Sequence, residues 1–128
     1  RPRGSGGRWR RAMMCIDYIR EKYNDELEFL WKKFPDNAIY RRRDNNKWYA
    51  ALLIINASKL GINDDAMIEI INLKIDREVD NELFKCKGVF DAYHMNKKNW
   101  CTIVLNDSIA DSKLLELIDK SYILSKGK

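Results

Sequence analysis

No stretch of this chain approaches the roughly 18 consecutive apolar residues of a membrane-spanning helix; the longest run, Trp48 to Ile55, has the length of a strand. The first residues are arginine, glycine and serine rather than the apolar core of a secretory signal, so the expectation is a soluble, cytoplasmic protein. Cysteine is scarce. Cys15, Cys86 and Cys101 are odd in number and form no CxxC pair, which argues against a disulfide framework and leaves three reduced, buried thiols as the reading. Histidine occurs once, at His94, with Cys86 and Cys101 eight and seven residues away in other elements, a spacing that no zinc site uses. Phosphate loops and nucleophile elbows are missing too: there is no GxGxxG, GxxxxGK[ST] or GxSxG. With no activated nucleophile beside the only imidazole, the expectation is a protein that is not an enzyme, with no catalytic residue, no cofactor and no metal.

What the chain does have is aromatics and clustered charge. With 128 residues, 45% of them apolar, it can bury one domain's core. The net charge of +5 lies in one place: residues 1–11, RPRGSGGRWRR, hold five arginines, and taking five from 24 basic residues leaves 19 against 19 acidic ones. Glycine and serine between those arginines read as a flexible basic tail appended by expression, with a single domain over 12–128. The neutral body is charged in blocks: −3 over 12–30, +5 over 31–60, −5 over 61–84 and +3 over 85–105. Blocks of this kind can give one face of a neutral molecule a positive potential.

Periodicity places the elements. Ile16, Ile19 and Tyr23, with Cys15 alongside, predict a helix over Ala12 to Tyr23. FLWKKFPD reads as a short extended piece stopped at Pro35. AIYRRR and KWYAALLII, joined by Asp44, Asn45 and Asn46, carry a hairpin signal, and the second strand is apolar enough to be covered on both faces. Met67 to Ile75 is a further strand. Val79, Leu83 and Phe84 predict a helix over Asp76 to Lys87, ended by a left-handed Gly88. NWCTIVLND is a last strand. A final helix capped by Asp107 or Ser108 carries a stripe of Leu114, Ile118 and Tyr122, broadened by Leu115 and Leu117. The order defines an α+β fold, a mainly antiparallel sheet with helices packed on one face.

The remaining constellation is basic and aromatic. Lys32, Lys33, Arg41, Arg42, Arg43 and Lys47 fall on the first strands and their turn, and Lys97 and Lys98 fall in the loop before the last strand. These residues can neutralise phosphates, while Trp48, Tyr49, Tyr93 and Trp100 can stack bases or fill the core, the tryptophans being read as core. The expected partners are DNA or, through the same surface, a protein; the chain is expected to be a monomer.

LWKKFPDNAIYRRRDNNKWYAALL, INLKID, KGVFDAYHMNKKNW and LLELIDKSYIL, spread over about residues 13–125, resemble the MmcQ/YjbR family of small bacterial proteins. The resemblance implies a frataxin-like (CyaY-like) two-layer α+β sandwich, also described as a double wing, and a DNA-binding role. Its signature loop falls on Tyr93, His94, Met95, Asn96, Lys97, Lys98 and Trp100, with Asn99 where members often carry a second histidine and Asp91 where proline is common. The frataxin likeness also raises iron binding on an acidic helix, for which Asp17, Glu21, Asp25 and Glu28 are the candidates.

Overall fold

The computed structural model describes residues 6–106 and 108–127, with side chains from residue 10 onward. Five strands, β1 (Ala38–Arg41), β2 (Trp48–Asn56), β3 (Met67–Lys74), β4 (Val89–Asp91) and β5 (Trp100–Val104), form one sheet in the order β1-β2-β3-β5-β4. Every neighbouring pair is antiparallel. Two helices, α1 (Gly6–Tyr23) and α2 (Asp111–Leu124), complete the α+β fold. No helix among the described residues is long and apolar enough to cross a membrane.

The two faces of the sheet are covered differently. Ala12, Cys15 and Ile19 of α1 and Leu114, Leu117 and Ile118 of α2 recur at three- and four-residue spacing and pack on Leu52, Ile71, Leu73 and Ile103. The opposite face presents Ala51, Leu53, Ile55, Ile70 and Val104, and loops cover it through Trp31, Leu60, Tyr93 and Met95. The apolar run of β2 is thus explained, because alternate residues face helices on one side and loops on the other.

Local chemistry sets the breaks. α1 stops where Asn24 turns left-handed (φ 59°), its N–H still bonded to the Arg20 carbonyl at 3.0 Å. The hairpin forms as its Asp-Asn-Asn sequence predicts: Asn46 takes φ 63°, and Asn45 Oδ1 accepts from Lys47 N–H at 2.9 Å.

Four expectations need correction. Residues 76–87 are not an α-helix but turns and a 3-10 segment, Asn81–Lys85. Asp76 draws the chain back on itself there: its carbonyl accepts from Val79 and Asp80 N–H and its side chain from Glu78 N–H, which leaves Val79 72% exposed. The short edge strand β4 follows, too brief to show a period. Neither proposed cap starts α2, since Ala110 stands at that position and Asp107 lies outside the described residues. The first helix starts before Ala12, at Gly6, and both Arg10 and Arg11 reach Asp111 at 3.2 Å. Finally, FLWKKFPD is not an extended piece: the nearby bridge to the sheet, Glu28–Ile39, lies one residue before it, and the segment itself runs into turns, Phe34 N–H bonding the Trp31 carbonyl and Asn37 N–H the Phe34 carbonyl.

Candidate nucleic-acid interface

The signature loop is fastened to the middle of the loop-covered face. Ala51, Asn72, Thr102 and Phe90 are cross-strand partners in one row, and Asn72 and Thr102 are both fully buried. Asn72 Nδ2 donates to the Tyr93 carbonyl at 3.0 Å, Tyr93 N–H donates to Thr102 Oγ1 at 2.8 Å, and the Thr102 hydroxyl donates to Asn72 Oδ1 at 2.5 Å. Both backbone groups of Tyr93 are therefore satisfied by side chains of the sheet.

The chain then reverses. His94 takes φ 59° and meets the Tyr93 ring edge-on at 4.1 Å. Asn96 closes the turn: its side chain accepts from Lys98 N–H at 2.8 Å and Asn99 N–H at 3.3 Å, and its carbonyl accepts from Trp100 N–H at 3.0 Å. His94 is thus an exposed residue at a left-handed turn, and Asn96 is the residue that forms the turn.

Between this loop and the 31–37 turns lies a groove of about 620 Å³. Its floor is the sheet, and its walls include Trp31, Phe34, Tyr93 and Met95, with Trp48 meeting Trp31 edge to face at 6.1 Å. Trp48 is only half-buried and opens onto the groove, whereas Trp100 is buried as expected and Tyr49 is buried with its hydroxyl on Asp25 at 2.6 Å. Sequence reasoning missed Trp31, Asn37, Lys59 and Asn72 as contributors. Only Asn72 leaves a local trace, a polar residue interrupting the apolar run of β3.

The eight basic residues singled out in the sequence separate into two groups. The hairpin arginines are neutralised within the chain. Arg41 holds Glu28 through two bonds of 2.9 and 3.1 Å. Arg42 is buried, forks onto Asp44 at 2.9 and 2.8 Å, donates to the Tyr122 carbonyl at 2.6 Å and lies 4.1 Å over the Tyr122 ring. Its hydrogen bonds hold the Asp44 carboxyl below the usual range. Arg43 reaches the buried Asp25 at 3.2 Å and the Asn24 carbonyl. A basic wing built on Arg42 is corrected by this burial.

The lysines behave differently. Lys32, Lys33, Lys47, Lys97 and Lys98 are exposed and have no carboxylate within ion-pair distance among the described residues; Lys59, on the groove lining, is the same. Lys32 and Lys33 sit between the groove residues Trp31 and Phe34, and Lys97 and Lys98 follow His94 and Met95. Lys74 lies on the same sheet face, its Nζ 5.7 Å over the Trp100 ring, and burial together with the nearby Lys47 lowers its pKa.

The acidic residues weighed for iron do not converge. Arg20 lies 3.7 Å from Asp17, Arg43 holds Asp25 and Arg41 holds Glu28, and no group of three potential ligands occurs among the described residues. Of the thiols, Cys15 and Cys101 are buried, and burial pushes each up to about 12; Cys86 is exposed, against expectation.

An α+β domain with helices on one sheet face and a loop-walled aromatic groove on the other has known relatives. The YjbR family model matches residues 20–124, and the chain belongs to that family. It is 32% identical over 109 residues to "Uncharacterized protein YyaQ" of Bacillus subtilis, a match covering 85% of this chain and 92% of the relative. A crystal structure from Pseudomonas syringae shares 42% identity at a TM-score of 0.85, covering 88% of this chain and 97% of that one. A Deinococcus radiodurans protein with a DUF419 domain, 22% identical with a TM-score of 0.69 over 91% of this chain and 79% of that one, shares the fold.

Proposed function

We propose that this chain is a non-enzymatic DNA-binding module, acting as a monomer, that meets its partner with the loop-covered face of the sheet. The observation that carries this reading is the split in its basic residues: the hairpin arginines are paired internally, while Lys32, Lys33, Lys59, Lys97 and Lys98, near an aromatic groove, have no carboxylate partner among the described residues, Lys97 donating only to the Ala92 carbonyl at 3.4 Å. Exposed ammonium groups with no carboxylate partner can neutralise phosphates directly and so release the cations condensed on the nucleic acid. Paired arginines would first have to surrender a carboxylate. A double-wing mode, in which the hairpin tip makes the contact, has less support for that reason.

Fluorescence anisotropy of a labelled oligonucleotide across a salt series tests the reading. Changing Lys97 and Lys98 together to glutamate should weaken binding across all sequences and reduce the salt slope by about one per lost phosphate contact. An unchanged affinity and slope would contradict it. Exposed Phe34 and Met67, 58% and 51% accessible beside the groove, favour a protein partner as the second reading. That reading gains if the unaltered chain binds no nucleic acid even at low salt.

A further inference from the structure

Resting on the nucleic-acid reading, we infer that the groove takes an unstacked base, so that the partner is a single strand rather than a duplex. In a duplex the faces of the bases are buried against one another, and a protein meets phosphates and base edges. Aromatic side chains recessed in a groove have nothing to stack on there. The unpaired lysines would suffice for a duplex by themselves, but the groove would then be unused.

The recess suits a base in three respects. Its volume of about 620 Å³ falls within the range of small-ligand sites. Trp31, Trp48, Tyr93 and His94 contribute rings of differing orientation, Trp31 and Trp48 standing at 88° to one another, so a planar guest can lie against one and meet the edge of the other. Asn37 offers a polar contact at the wall: its Oδ1 is occupied by Ile54 N–H at 2.9 Å, while its amide N–H groups have no partner among the described residues and can donate to a base carbonyl.

Charge complementarity chooses the occupant. Lysines lie close in sequence to the rings of both wall segments, Lys32 and Lys33 between Trp31 and Phe34, Lys97 and Lys98 a few residues after Tyr93 and His94, and Lys59 joins them on the lining. Aromatic and cationic groups interleaved in this manner match a polymer that alternates planar bases with phosphates.

The test titrates the full chain with a labelled oligothymidylate and with a duplex of equal length at one salt concentration. The single strand should bind at least ten-fold more tightly and quench tryptophan emission. Trp31→Ala, with its fold verified by circular dichroism, should lose about ten-fold or more in affinity at an unchanged salt slope, and Trp31→Phe should recover most of it. Equal affinity for strand and duplex, with Trp31→Ala binding like the unaltered chain, overturns the base site but leaves the lysine surface as a duplex contact. No binding of either at low salt removes both readings together.

Discussion

Asn72 and Asp119 show how single side chains position larger pieces of this molecule. Asn72 Nδ2 and Oδ1 engage Tyr93 and Thr102 in a buried setting. Asn72→Leu would keep the volume but strand the Tyr93 carbonyl, so it should cost about 1–3 kcal/mol in urea unfolding, with the 93–98 loop loosened. Asp119 of α2 accepts from Tyr18 at 2.7 Å, Lys22 at 3.0 Å and Tyr23 at 2.6 Å of α1, which clamps the two helices together. Burial by itself would raise the Asp119 carboxyl, but the bonds from Tyr23, Tyr18 and Lys22 outweigh it and hold the pKa below the ordinary value. A carboxyl depressed by folding stabilises fully above its unfolded pKa of about 4, and that contribution is lost as pH falls through the lower folded value. Stability measured from pH 7 downward should therefore fall below about pH 4, and Asp119→Asn should flatten this part of the curve while lowering stability at neutral pH. The thiols give a simpler check. Of three cysteines, only Cys86 is exposed, so labelling at neutral pH should modify one thiol quickly in the native protein and three after denaturation.

At the scale of elements, four of the five strands were legible because β-branched and apolar runs with Asp-Asn-Asn between the first two leave few alternatives; the three-residue β4 was not. The helix expected over 76–87 was not, since its apolar spacing was helical while Asp76 and Asp80 favoured local turns. Of the reading of Gly88, the left-handed conformation holds and the helix it was to end does not: the residue takes φ 84°, and a Cβ there would stand 2.8 Å from Ser108 Cβ. Gly88→Ala should accordingly destabilise the protein by about 1–3 kcal/mol, seen as a lower thermal midpoint; an unchanged midpoint would contradict the left-handed conformation and the close approach of Ser108. The candidate site was legible in part. AYHMNKKNW marked the loop, but the sheet residues that fasten it lie 20 or more positions before it or in the strand after it, beyond the reach of local pattern. The arginine run misled for the same reason: Asp25 and Glu28, which neutralise Arg43 and Arg41, lie 18 and 13 residues upstream and meet them only in the fold.

At the scale of the whole molecule, a residue count misstates which cations are available. Counting residues places +5 in the 31–60 block, but three of its seven cations are arginines with carboxylate partners. The other four are exposed lysines without a carboxylate partner among the described residues: Lys32 and Lys33 beside the groove, Lys59 on its lining, and Lys47 in the hairpin turn. The amino-terminal arginines do not offer a clean deletion test, since Arg10 and Arg11 are tied to Asp111 and removing them would disturb the junction of α1 with α2. Substitutions in the full chain avoid this, as every variant then carries the same tail. The most direct measurement compares two sets of charge changes on one labelled single strand across a salt series: Lys32, Lys33, Lys97 and Lys98 to glutamate, against Arg41 and Arg43 to glutamine. The lysine set should lose affinity and flatten the salt dependence while the arginine set binds as the unaltered chain does, its cost appearing in stability alone. Equal losses from both sets, or a loss confined to the arginines, would contradict the assignment of the binding surface to the loop-covered face.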